Sequence, residues 1–116
     1  MKAFDTAKIY ELTPKDGRKS FYGKAKVIVA GDGPNLYCFC GCEFLISYDS
    51  AICVRDTDGN ILRLPCAWTE RDNWSATTGR HIAAFCGLNK KKFLDLPLLD
   101  VHFEVYTNKN GAYIEY

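Results

Sequence analysis

A single helix signal stands in a chain whose other patterns are typical of strands, and it constrains the fold more than any other feature. It covers residues 74–87, which read Trp-Ser-Ala-Thr-Thr-Gly-Arg-His-Ile-Ala-Ala-Phe-Cys-Gly. Ser75 suits the N-cap position, because its hydroxyl can accept a hydrogen bond from a backbone N–H of the first turn. Gly87 suits the left-handed residue that ends many helices. The sequence therefore predicts a helix over residues 75–86.

One face of this helix is expected to meet a sheet. Thr78, Ile82 and either Phe85 or Cys86 recur at three- and four-residue spacing, which places them on the same face. The residues expected to point away from that face are Thr77, Arg80 and Ala84. Threonine and glycine are poor helix formers. The first turn is therefore either a cap that tertiary packing tolerates or a site where free N–H groups and hydroxyls bind an anion or a partner.

The remainder of the chain alternates strand patterns with turns. Runs of β-branched, aromatic and aliphatic residues predict strands over residues 7–12, 20–30, 36–46, 51–55, 60–64, 101–107 and 112–116. Gly41 predicts a bulge or bend within one strand, and Asp56-Thr-Asp-Gly59 predicts a hairpin turn. Asn89 predicts the cap of a second helix over residues 90–96. Strands followed by short helices and a closing hairpin predict an α+β fold, with a curved antiparallel sheet of about six to seven strands and one or two short helices packed on one side.

Composition narrows the class of protein. The 116 residues are expected to form one domain, residues 1–116. Fifteen basic and fourteen acidic residues give a net charge of +1, which is too balanced for a dedicated nucleic-acid binder. No apolar run reaches transmembrane length, and the first residues lack the apolar core of a signal peptide. We therefore expect a cytoplasmic protein without a membrane partner, in which the six cysteines are thiols or metal ligands and not disulfides.

The cysteines are candidate ligands of a zinc site. Cys38, Cys40 and Cys42 stand at two-residue spacing, which would separate their side chains by roughly 6–7 Å on one face of a regular strand. A bend at Gly41 would bring them closer together, as a zinc tetrahedron requires. The predicted ligands are Cys38, Cys40, Cys42 and Cys66, with Cys53, Cys86 or His81 as alternative members of the set. Because the usual Cys-x-x-Cys spacing is absent, the competing interpretation is that these cysteines are small apolar core residues.

No catalytic constellation is evident. A nucleophilic cysteine needs a base, and the chain offers only His81 and His102. His102 lies in an alternating strand pattern and is expected to face solvent. A cysteine of the 38–42 run with His81 would leave the third group and the oxyanion donors unassigned. We therefore expect a protein that is not an enzyme, with a cysteine-dependent enzyme as a further alternative.

Aromatic and basic residues around the predicted helix are candidates for a partner-binding surface. Exposed tryptophan and arginine side chains are typical anchors of protein interfaces. Lysines at the start of a helix oppose its dipole, which favours a contact with an acidic surface. The predicted partner-binding residues are Trp68, Arg71, Trp74, Thr77, Arg80, Lys90 and Lys91.

The string from Ser47-Tyr48 to Trp74-Ser-x-Thr-Thr-x-Arg-His-Ile-x-x-Phe85 resembles small, largely uncharacterised proteins of bacteriophages and prophages. The resemblance covers roughly residues 45–87. Small phage proteins of this size are often inhibitors of host defence, including anti-CRISPR proteins, so the resemblance implies this role without implying a mechanism at any residue. The chain departs from the pattern in its cysteine-rich strand and in its longer loop at residues 66–73.

Two functions from different classes follow. The leading one is a non-enzymatic interaction protein that inhibits a host defence nuclease, such as a CRISPR-associated nuclease, by direct protein contact. The alternative is a small zinc-stabilised module with nucleic acid as its ligand.

Overall fold

A computed structural model describes residues 3–12, 24–31, 41–48, 50–65, 76–108 and 111–115 of the chain. The strands are β1 (Ala3–Glu11), β2 (Ala25–Ala30), β3 (Glu43–Ser47), β4 (Ser50–Arg55), β5 (Ile61–Arg63), β6 (Glu104–Asn108) and β7 (Gly111–Glu115). The helices are α1 (Ala76–Cys86) and α2 (Lys90–Leu94). The predicted α+β class, a mostly antiparallel sheet with short helices, is confirmed.

The strands form two parts that share β1. The first part is the antiparallel ladder from β1 to β5, in which each strand pairs with the next along the chain. The second part is the β6–β7 hairpin, whose β7 pairs with Ala3–Asp5 at the start of β1. The spatial order is β5-β4-β3-β2-β1-β7-β6. The larger part therefore holds five strands, fewer than the six to seven that were predicted for one sheet, and the other two strands form the hairpin.

Register shifts bend the sheet. In β4 the pairing passes from Leu45↔Cys53 to Ile46↔Ala51, so Ile52 is an extra residue opposite β3. A second shift lies between Thr6 and Lys8 of β1. Such bulges increase the local twist and bend of a strand.

The sheet is buried on both faces. Val27 and Leu45 point to one face, whereas their neighbours Ile28 and Phe44 point to the other, and all four are buried. The helices cover the first face with Ile82, Phe85 and Phe93. The second face is covered by the chain that follows α2, where the ring of Phe103 lies edge-on to Phe44 at 5.0 Å between centroids. The prediction that the helices pack on one side is confirmed.

The boundaries of α1 and α2 follow local signals. Gly87 has φ +72, and its N–H donates to the carbonyl of Ala83 at 2.9 Å, which confirms the left-handed end of α1. The side chain of Asn89 accepts from the N–H of Lys92 at 2.9 Å and caps α2 as predicted. The prediction that α2 ends at residue 96 is wrong by two residues, since the helix ends at Leu94. The N–H groups of Asp95 and Leu96 bond to carbonyls three residues back, which tightens the last turn.

The contact face of α1 is wider than expected. Ile82 and Phe85 are buried against the sheet as predicted, but Ala84, expected to point away, is buried against Ala25. A helix that lies on a sheet presents a stripe at least about 100° wide, so two positions per turn are covered. The small side chain of Ala84 allows α1 to lie close to β2.

Replacement of Ile82 by alanine should lower the free energy of unfolding by about 2–5 kcal/mol, because the deleted side chain is fully buried between α1 and the sheet. Urea denaturation would measure the change. The control is Ala83→Gln, at an exposed position of the same helix, which should change the free energy by less than about 0.5 kcal/mol. Equal stabilities of the two variants would contradict this packing.

Candidate functional site

The β3–β4 turn and α1 meet at a buried polar contact. The Oγ atom of Ser47, the last residue of β3, shares a hydrogen bond of 2.8 Å with Nδ1 of His81. Both residues are buried, with exposed fractions of 3% and 0%. A buried polar group costs free energy unless it is hydrogen-bonded. This bond therefore specifies how α1 is placed relative to the turn.

The environment of His81 keeps its imidazole neutral at pH 7. Burial lowers the pKa of His81 below its ordinary value of 6.5, and the nearby Arg80 guanidinium lowers it further. Burial disfavours the charged form of a histidine, and a neighbouring positive charge acts in the same direction.

Tyr48, which follows Ser47 in the turn, has an unusual backbone. Its φ is +57, and it is the one non-glycine residue with positive φ in the described part of the chain. A side chain in this left-handed conformation costs about 1–2 kcal/mol. Tyr48 is nevertheless 47% exposed, so core packing does not account for the strain.

Three contacts hold Tyr48 in place. Its N–H donates to the carbonyl of Lys24 at 2.7 Å. The Lys24 ammonium lies 5.7 Å from the centre of the tyrosine ring, within the range of a cation–π contact. The ring of His81 lies on another side, with 5.9 Å between ring centres. We call Lys24, Ser47, Tyr48, Arg80 and His81 the turn–helix site.

The Ser47–His81 pair has the atoms of a nucleophile and a base, but its burial favours a structural role. A serine nucleophile must reach a substrate carbonyl, whereas the Ser47 side chain is covered. What the site offers to a partner is an exposed aromatic ring with a lysine beside it and an arginine on the adjoining helix. Such a surface suits an acidic or aromatic contact region of another macromolecule.

The structure places only some of the predicted partner-binding residues. Trp68, Arg71 and Trp74 lie outside the described residues. Thr77 lies in the first turn of α1, and Lys90 and Lys91 begin α2, where Lys91 is exposed. Arg80 is the neighbour of His81 in α1 and lies close enough to lower the pKa of that histidine. In the sequence, Ser47 and Tyr48 stand out only as part of the string that resembles phage proteins. The hydrogen bond between Ser47 and His81 joins residues 34 positions apart, so no local spacing predicts it.

The position of Cys42 limits which of the predicted ligands could bind zinc together with it. Of the four predicted ligands, Cys38, Cys40 and Cys66 lie outside the described residues. Cys42 is buried in the apolar cluster on the face away from the helices. Cys53 and Cys86 lie in the apolar cluster on the helix face, and His81 lies on α1, so the sheet stands between Cys42 and these three residues. Within the ranges described, no three potential ligands lie together, and zinc binding stays a prediction.

A second polar group lies at the C-terminal end of α1. Arg55 donates from Nη1 to the carbonyl of Phe85 at 2.9 Å and from Nε to Glu43 at 3.1 Å. Tyr10 donates to the other oxygen of Glu43 at 2.8 Å. The hydrogen bond from Arg55 is the main cause of a lowered pKa of Glu43, whereas burial and the carboxylate raise the pKa of Tyr10. The arginine therefore links the end of the helix to the sheet.

The residues that define the turn–helix site and the Arg55 group fall within a known sequence family. The chain belongs to a family of unknown function, DUF8033, whose model matches residues 10–95. The matched range includes β2–β5 and both helices, and it ends before the β6–β7 hairpin. No curated protein and no solved structure matches the chain.

The free energy of unfolding should fall as the pH falls below about 6.5. Because the pKa of His81 is lower in the folded chain, the unfolded chain binds a proton in this window that the folded chain does not. Urea denaturation between about pH 7.5 and pH 5.5 would measure the slope, in a range above the usual carboxylate pKa values.

The variant His81→Asn keeps a hydrogen-bonding group for Ser47 and removes the titration, so its slope should be shallower than that of the wild type. His102→Asn removes an exposed histidine and should leave the slope in place. An unchanged slope in His81→Asn would contradict the assignment.

Proposed function

We propose that this chain is a non-enzymatic interaction protein of the phage type, which inhibits a host defence nuclease by direct contact through the turn–helix site. The observation that carries the proposal is the exposed ring of Tyr48 on a left-handed backbone. Strain of this kind persists where the surrounding structure imposes it, and it is concentrated at functional sites. A strained, exposed aromatic ring is better explained by recognition than by stability.

The contacts around the ring of Tyr48 hold it in a rigid position. The buried Ser47–His81 hydrogen bond fixes the turn against α1, and Lys24 packs on the ring of Tyr48. An anchor that is already ordered loses less conformational entropy on binding. Tyrosine and arginine are enriched among the residues that dominate binding energies. Tyr48 and Arg80 are therefore the anchors, with Trp68, Arg71 and Trp74 as further contacts.

The charge of the site suggests the chemistry of the partner. Lys24 places a positive charge against the ring of Tyr48, and Arg80 adds a second one next to His81 in α1. Lys91 adds a third, exposed positive charge on α2. A nuclease surface that presents carboxylates is complementary to this arrangement. Such an inhibitor acts in the cytoplasm of the host. It blocks the nuclease by binding to it and catalyses no reaction.

Addition of the purified chain to guide-loaded CRISPR-associated nucleases should inhibit target cleavage by at least one effector of a panel. Tyr48→Asn should raise the half-inhibitory concentration about tenfold or more, which corresponds to the loss of one binding anchor. Its free energy of unfolding should be unchanged or higher, since asparagine tolerates the left-handed conformation better than tyrosine. Arg80→Gln should weaken inhibition to a similar extent.

The matched control is Tyr106→Asn, which removes another exposed tyrosine, on β6. This variant should inhibit as the wild type does. If no effector is bound or inhibited, the proposed function is wrong. If Tyr48→Asn and Tyr106→Asn inhibit equally, the nuclease contact lies elsewhere on the surface.

A further inference from the structure

Two thiols meet where the C-terminal end of α1 rests on the sheet. The Sγ atoms of Cys53 and Cys86 lie 3.8 Å apart and share a hydrogen bond. A disulfide has an S–S distance near 2.05 Å, so the two sulfurs would have to approach by about 1.8 Å to bond. The residues are 33 positions apart, and the pair is a product of the fold and not of a local motif.

One partner of the pair is fixed and the other lies at a helix end. Cys53 lies in β4 between β3 and β5, paired with Leu45 on one side and Arg63 on the other. Cys86 is the last residue of α1, and Gly87 follows it with φ +72. The final turn of a helix adjusts more readily than a central strand. The required approach can therefore come from Cys86.

The two thiols differ in exposure and in acidity. Cys53 is fully buried, whereas Cys86 is partly exposed. The hydrogen bond from Cys53 lowers the pKa of the Cys86 thiol, burial opposes this, and the charge of Arg55 lowers the pKa further. The Arg55 guanidinium is held there by Phe85 and Glu43. A thiol with a lowered pKa and solvent access is the attacking member of a reactive pair, and the buried thiol is the resolving member.

We propose that Cys53 and Cys86 form a thiol–disulfide exchange site that accepts a low-molecular-weight disulfide as its oxidant. The Cys86 thiolate attacks one sulfur of that disulfide, whose S–S bond breaks and releases one thiolate, which takes up a proton. Cys53 then attacks the Cys86 sulfur, the mixed S–S bond breaks, and the second small thiolate leaves with the proton given up by Cys53. Two protein thiols are oxidised and one small disulfide is reduced to two thiols.

This site is separate from the contact surface of the proposed function. It lies at the C-terminal end of α1, whereas the turn–helix site meets α1 at its middle through His81, and it does not depend on the identity of any partner. When formed, the bond ties the end of the helix covalently to the centre of the sheet.

Incubation of the full-length chain in buffers of varied ratio of oxidised to reduced glutathione tests the proposal. Peptide mapping by mass spectrometry after alkylation should show a Cys53–Cys86 linkage that rises with the oxidised fraction and is reversed by excess reduced glutathione. Under reducing conditions, the alkylation rate of Cys86 should exceed that of Cys42 by about tenfold or more. Both readouts use the wild-type protein, so no variant has to fold.

Two variants separate the roles of the thiols. Cys53→Ser lacks the resolving thiol and should accumulate a mixed disulfide of glutathione on Cys86. Cys42→Ala removes a buried core cysteine on the other face and should form the Cys53–Cys86 linkage as the wild type does. If both thiols stay free in fully oxidised glutathione, or if the linkages formed do not join these two residues, the proposal is overturned.

Discussion

The hydrogen bond between Ser47 and His81 is the constraint on which the polar architecture depends. An imidazole with no exposed surface is tolerated only with a partner, and this partner sits at the end of the strand that leads into the Tyr48 turn. The bond fixes the rotation of α1 about its axis, since His81 can meet Ser47 in only one orientation. That rotation in turn directs Ile82 and Phe85 into the sheet.

The middle and the C-terminal end of α1 are held in different ways. At the middle, the neutral imidazole of His81 meets a serine hydroxyl, and a strained tyrosine lies beside them. At the C-terminal end, a charged arginine bonds to the carbonyl of Phe85 and lies over its ring at 4.2 Å. The positive charge also compensates the partial negative charge of a helix C-terminus. Apolar packing lies between the two, so the helix is oriented by polar contacts and stabilised by burial.

The sequence predicts those features that depend on neighbouring residues. Gly87 and Asn89 mark helix ends correctly because capping is a local interaction. The alternation from Val101 to Tyr106 correctly predicts which side chains are covered, but β6 begins only at Glu104. Phe103 packs on Phe44 although it belongs to no strand. An alternating sequence pattern indicates which side chains are buried, but it does not show that the backbone is paired. The contacts of Ser47 with His81 and of Cys53 with Cys86 join distant segments, so the spacing of residues in the sequence does not predict them.

The segment after α2 has a consequence for the exposed backbone of the sheet. The N–H of Arg63 donates to the carbonyl of Pro97, and the N–H of Leu99 donates to the carbonyl of Arg63. The side chain of Arg63 adds a bond to the carbonyl of Leu96. Unpaired groups at the rim of a sheet can template the addition of a foreign strand. Because the backbone of Arg63 is paired in this way, a foreign strand cannot add to β5 at this residue, and among the described strands β6 lies at the opposite rim of the sheet.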